Sequence, residues 1–230
     1  MNWLINFLFK SSIGQKVVMS LSGLFLIIFL IVHLLGNLQL LSDDGGMSFN
    51  TYTYFMTHNP VIKLVSYLLY LTILLHTIQG LSLWVRNRKA KGQGYAVTTN
   101  TGSSAFARYM AAFGIIIFIF LLIHMWQFWF QMKFGNLDMV NYPGKEHSYK
   151  DLYTPVKIAF AELPYVIFYV LSMIVVSFHL IHGFQSAFQS LGLNHKKYTP
   201  AIKAVGWVYA IVVPAGFALL PIYMYIIQNS

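Results

Sequence analysis

At 230 residues, with 57% of them hydrophobic and only 9% charged, the chain lies far from the roughly 25% charged residues of an ordinary soluble domain. It has no cysteine, which excludes disulfides, iron–sulfur ligation and the covalent attachment of a c-type haem. The net charge of +9 does not point to nucleic acid, because its distribution along the loops follows membrane topology.

Met1–Lys10 is amphipathic and runs into an apolar stretch too long for the core of a signal peptide, so it is expected to be retained at the membrane interface. Five stretches reach the length of about 20 residues that a spanning helix needs: Val17–Leu41, Val61–Val85, Ala107–Met132, Pro164–Leu191 and Ala201–Ile227. The expected fold is an all-α membrane protein, one domain with five transmembrane helices. Between the second and third spans, Gly92, Gly94, Thr98–Thr101 and Gly102 predict a flexible connection. The longest connection, Lys133–Thr154, is rich in Tyr, Asn and Gly. Thr154-Pro155 then predicts the cap and first turn of a short surface helix before Pro164 redirects the chain. Trp3, Trp84, Trp126, Trp129 and Trp207 lie near span ends, as an interfacial aromatic belt requires. The fifth span carries Pro214 and Pro221 and no histidine, and is expected to pack against the other four.

Charge sets the orientation. With the N-terminus inside, the inner segments carry Lys10, Lys16, Arg86, Arg88, Lys89, Lys91, Arg108, Lys196, Lys197 and Lys203, and no acid. The outer segments carry Lys63, Lys133, Lys145, Lys150 and Lys157 with all six acids, Asp43, Asp44, Asp138, Glu146, Asp151 and Glu162. The positive-inside rule thus predicts a cytoplasmic N-terminus in a multi-pass protein of the cytoplasmic membrane.

Of the eight histidines, His33, His76, His124, His179 and His182 lie within predicted spans, and His58, His147 and His195 in loops. Ionisable groups at membrane depth are rare and mark functional sites. Depth follows from a rise of about 1.5 Å per residue. His33 lies 8 residues from the outer end of its span, and so does His124, which places both on the outer side. His76 lies 9 residues from its inner end and His179 lies 12, which places both on the inner side. The depths pair His33 with His124 and His76 with His179. Two imidazoles facing each other across a four-helix bundle form the axial set of a haem iron. In Phe178-His179-Leu180-Ile181-His182-Gly183 either ring is able to face the bundle.

A haem also needs clearance. Gly36 and Asn37 follow His33 by three and four residues, and Gly80 and Gly183 follow His76 and His179 by four, one turn along the same face. Gly23 and Gly114 each precede the outer histidine of their helix by ten residues, roughly 15 Å towards the inner level. Packing of small residues between membrane helices is the competing explanation.

These motifs resemble a known family, the cytochrome b membrane-anchor subunit of succinate dehydrogenase and fumarate reductase, in its single-subunit, five-helix, di-haem form. The matching stretches are Met19-Ser20-Leu21-Ser22-Gly23, Val32-His33-Leu34-Leu35-Gly36-Asn37, Leu75-His76-Thr77-Ile78-Gln79-Gly80, Ile123-His124-Met125-Trp126, and Phe178-His179 followed by Gly183-Phe184-Gln185-Ser186. The resemblance implies two haem b groups, the outer on His33/His124 and the inner on His76/His179, with His182 left to hydrogen-bond a propionate or a quinone. It implies a flavoprotein and an iron–sulfur subunit on the cytoplasmic face, where the dicarboxylate chemistry resides, and electron exchange with menaquinone. The basic loop Arg86–Lys91 suits such docking. A quinone site near the outer haem would draw its donors from Asn37, Gln39, His58 and Gln127.

Two other readings compete. The first is a di-haem anchor of a hydrogenase or formate dehydrogenase. The second is a histidine-relay transporter, which would call for intramembrane carboxylates or matched broken helices, and the sequence offers neither.

Overall fold

The computed structural model describes residues 2–90 and 105–230. The predicted connection Gly92, Gly94, Thr98–Thr101 and Gly102 lies outside them, as does Lys91 of the basic loop. A short helix α1 (Asn2–Lys10) precedes α2 (Ser12–Asn37), which ends in a 3₁₀ turn, Leu38–Leu41. There follow α3 (Met47–His58), α4 (Pro60–Ala90), α5 (Ala105–His124), a π turn (Met125–Phe130) and α6 (Gln131–Phe134). Strands β1 (Met139–Val140) and β2 (Tyr149–Lys150) form an antiparallel hairpin, and α7 (Tyr153–Ala161), α8 (Leu163–Ser190) and α9 (Thr199–Asn229) complete the chain.

Five helical stretches are long and apolar enough to cross a membrane: Ser12–Leu41, Pro60–Lys89, Arg108–Phe134, Leu163–Ser190 and Thr199–Asn229. They coincide with the predicted spans to within a few residues at each end. Leu64, Leu71, Leu74 and Ile78 of α4 and Leu122 and Trp126 of the third span are exposed. A continuous apolar surface of this kind is untenable in water and expected against lipid.

The four histidine-bearing helices close into a ring: α2 packs on α4 and α8, and α5 packs on the same two. The fifth span, α9, lies outside the ring against α8 and α2. Tyr209 of α9 donates to the carbonyl of Ile27 at 2.6 Å, and Pro221 is fully buried. At the start of the chain, Ser11 Oγ accepts from Gly14 N at 3.0 Å and caps α2. A Cβ on Gly14 would stand 1.9 Å from the carbonyl oxygen of Phe7, so only glycine lets α1 fold back on the first turn of α2.

One end of the bundle is capped by α3, the hairpin and α7, which sequence reading takes largely for loop. His58 accordingly ends a helix rather than sitting in a loop. The cap is built around Asn50, which is fully buried. Its amide donates to Tyr142 Oη at 2.8 Å and to Asp151 Oδ1 at 2.9 Å, and its oxygen accepts from Leu152 N at 3.0 Å and Tyr153 N at 3.1 Å. All four of its hydrogen-bonding positions are filled. Helix α7 begins at Tyr153, and the side chain that caps it is Asp151, not Thr154: Asp151 accepts from Thr154 N at 3.1 Å and Thr154 Oγ1 at 2.6 Å. Nor is α7 a surface helix, since Val156, Ala159 and Phe160 are buried. Gly46 turns the chain into α3 at φ 86° and lies so close to Tyr153 that a Cβ would meet its ring at 2.4 Å. Burial works against the Asp151 carboxylate, but hydrogen bonds from Thr154, Asn50 and the backbone outweigh it and hold its pKa below the usual value.

Candidate functional site: two histidine pairs

Nearer the cap, the ring of His33 on α2 stands 5.8 Å, centroid to centroid, from that of His124 at the end of α5, with the planes 84° apart. Nearer the opposite end, His76 on α4 and His179 on α8 stand 6.3 Å apart at 65°. His179, not His182, is the α8 ring that faces His76; His182 lies half-buried one turn along. A metal held on opposite sides by two imidazoles with bonds of about 2 Å sets the ring centroids about 6 Å apart, so both pairs have the separation of an axial set. Among the described residues no three metal-ligating side chains converge. Two per site is the number a haem macrocycle leaves for the protein.

The spacing of the two levels is read on two helices independently. Gly23 of α2 lies against His76, its Cβ position 3.3 Å from Cε1, and the Cβ position of Gly114 of α5 is 3.9 Å from Cε1 of His179. Each glycine precedes the outer histidine of its own helix by ten residues, which separates the levels by about 15 Å.

Hydrogen bonds bear on which nitrogen of each ring is available. Tyr169 Oη donates to Gln127 Oε1 at 2.9 Å, so its oxygen is left to accept from His124 Nδ1 at 3.3 Å. Ser22 Oγ donates to the carbonyl of Met19 at 3.0 Å and stands 3.1 Å from His76 Nδ1. Both arrangements place the proton on Nδ1 and leave Nε2 to ligate. At His33 the nearest group is the amide nitrogen of Asn37, 3.4 Å from Nδ1, which also donates to the His33 carbonyl at 2.8 Å. Ligation through Nε2 there requires Asn37 to rotate its amide. His179 Nδ1 is buried with no hydrogen-bond partner among the described residues.

Aromatic rings enclose the outer pair. Phe29 stacks on His33 at 5.2 Å, Phe120 on His124 at 5.7 Å, and Phe217 of α9 reaches His33 at 5.5 Å. Phe29 and Phe120 each precede their histidine by four residues, a helical-face signal that histidine counting passes over. Ser22, Tyr169 and Phe217 leave no such signal, because they come from other helices.

The remaining predicted residues divide. Gln127 joins the outer pair through Tyr169, and Asn37 through His33. His58 is exposed and belongs elsewhere: its ring stacks on Tyr54 at 3.9 Å, and His147 stacks on Tyr54 at 5.6 Å. Gln39 is half-buried in the 3₁₀ turn. Gly36 does not give clearance for a haem, because the space beside it is taken by Tyr52, whose Cε1 would stand 2.4 Å from a Cβ. Gly80 and Gly183 face the mobile ends of Met19 and Met110, at 3.3 and 3.8 Å from the Cβ positions. Trp129 is no simple belt residue, since its Nε1 donates to Tyr70 Oη on α4 at 2.7 Å.

Comparison of the chain with protein-family models, curated proteins and solved structures gives no match.

Proposed function

We propose that the chain is a di-haem b membrane anchor of a succinate dehydrogenase or fumarate reductase, passing electrons between a membrane-peripheral iron–sulfur subunit and menaquinone. The observation that carries this reading is the pair of interhelical histidine couples, with ring centroids 5.8 and 6.3 Å apart, at two depths of one helix ring. His33 and His124 would hold the outer group, His76 and His179 the inner, with the cap facing outwards and the basic end towards the cytoplasm. Haem at these sites supplies one-electron relays across the apolar layer.

The protein's part is to fix the rings and keep water out. Tyr169 and Ser22 orient His124 and His76, and Phe29, Phe120 and Phe217 seal the outer pair. His182, half-buried three residues beyond His179, would be the residue to hydrogen-bond a propionate. A quinone docking beside the outer level would meet Gln127 and Asn37 first. The flavoprotein and iron–sulfur subunits would dock on the basic end. Co-purification of those two subunits, rather than hydrogenase or formate dehydrogenase subunits, tests the partner.

The decisive experiment is optical. Purified protein should show a reduced b-type α-band and two haems per chain by pyridine haemochrome. His76→Ala and His124→Ala should each remove one haem and leave the other. A preparation with no b-type band sinks the proposal.

A further inference from the structure

At the end of the bundle opposite the cap, α2 and α4 leave an open cleft of about 470 Å³, lined by Gln15, Gln79, Ser82, Arg86 and Lys89 with the apolar Leu81 and Val85. None of these residues belongs to the histidine pairs. Two features of the cleft point to a ligand.

Gln79 is only 8% exposed, and its amide nitrogen is buried with no hydrogen-bond partner among the described residues. An orphaned donor in such a place carries a full desolvation cost unless something outside the protein accepts from it. The second feature is charge. Arg86 Nη1 donates to Gln15 Oε1 at 3.0 Å; among the described residues this is its one side-chain hydrogen bond, and a guanidinium fork has further donors for an oxyanion. Lys89 lines the same space. All six acids of the chain, Asp43, Asp44, Asp138, Glu146, Asp151 and Glu162, lie in the capped half, so no carboxylate of this chain neutralises the cleft.

Leu81 and Val85 are each 41% exposed beside this polar head. A charged group at the mouth with an apolar helix face running away from it matches a lipid, whose phosphate sits at the interface and whose acyl chains follow the helix. We propose that this cleft binds the headgroup phosphate of an anionic phospholipid, with Arg86 and Lys89 pairing its charge and Gln79 donating to a phosphate or ester oxygen. The inference needs only the spans in a bilayer and does not rest on the haem reading. A haem propionate is the competing anion, because Gln79 follows His76 by three residues.

The test uses the full chain in nanodiscs of equimolar phosphatidylglycerol and phosphatidylcholine, extracted in mild detergent. Retained lipid is measured by mass spectrometry and haem by pyridine haemochrome on the same sample. Wild type should retain phosphatidylglycerol preferentially, and Arg86→Gln with Lys89→Gln should cut that preference by roughly tenfold at unchanged haem content. Arg86→Lys should keep most of it, which also shows that the altered site still folds. Gln79→Leu should weaken it. Lys196→Gln with Lys197→Gln, basic residues that do not line the cleft, should leave it intact. Equal retention of both lipids by wild type overturns the proposal, as does an unchanged preference in the double variant. Loss of haem with lipid unchanged makes the cleft a propionate clamp instead, and displacement of the lipid by millimolar inorganic phosphate makes it a free-anion site.

Discussion

Replacing Tyr169 by Phe removes one oxygen atom from the outer site and little else. The hydroxyl donates to Gln127 and stands 3.3 Å from His124 Nδ1, so its loss deprives that Nδ1–H of its acceptor. An imidazole whose distal N–H is accepted by another group is a stronger electron donor to its metal and favours the oxidised state. The outer haem proposed above should therefore become easier to reduce in the variant. A neutral hydrogen bond is worth about 0.5–1.5 kcal/mol, and this long one belongs at the low end. That translates to an upward shift of about 20–40 mV for a one-electron couple. The assay is an optical redox titration in the His76→Ala background, where only the proposed outer haem should titrate. A downward shift, no shift, or an equal shift of the inner haem in the complementary His124→Ala background would refute the reasoning.

Asn50→Leu keeps the volume of the cap's central side chain but takes the Asn50 oxygen from Tyr153 N, while Leu152 N keeps the Lys150 carbonyl at 3.1 Å. It should destabilise the cap by roughly 1–3 kcal/mol, seen as faster proteolysis within α3 and the hairpin before the spans unfold. Gly46→Ala meets both a left-handed backbone and the ring of Tyr153. It should lower the thermal midpoint of the detergent-solubilised protein, and Gly45→Ala, where no atom lies within 4 Å of the Cβ position, should lower it less. Asp151 has a pKa below its ordinary value, so its stabilising contribution is complete above the unfolded carboxylate pKa of about 3.9 and is lost as pH falls through the lower folded value. Thermal midpoints measured from pH 7 downwards should show wild type and Asp151→Asn converging only at the acid end. Convergence already at neutral pH would exclude that role for Asp151.

The five spans were legible because length and hydropathy alone determine what a bilayer accepts. The two-level order of the histidines was legible for a related reason: a helix converts residue number into depth with little error, and the ring distances follow that order. What faces a ring from a neighbouring helix has no such ruler. Ser22 and Tyr169 lie 54 and 45 residues from the histidines they touch. Spacing likewise showed that Gly36 leaves room, but not that Tyr52 fills it. The cap was the least legible region, because it is held by a buried amide whose partners lie about a hundred residues downstream and whose short elements carry no strong periodicity.

The π turn at Met125–Phe130 acts as a vernier on the third span. An α-helix advances about 100° per residue, and a π turn absorbs one extra residue without breaking the helix. His124 keeps the azimuth that α5 gives it, while the residues after it are rotated out of step. That offset lets consecutive turns serve different neighbours: Gln127 reaches Tyr169 on α8, and Trp129, two residues on, reaches Tyr70 on α4. A single-residue deletion within the turn should restore ordinary helix, leave the histidine where it is, and cost the span its grip on both neighbours. Insertions and deletions would then retune the polar surroundings of the outer level without moving its histidine.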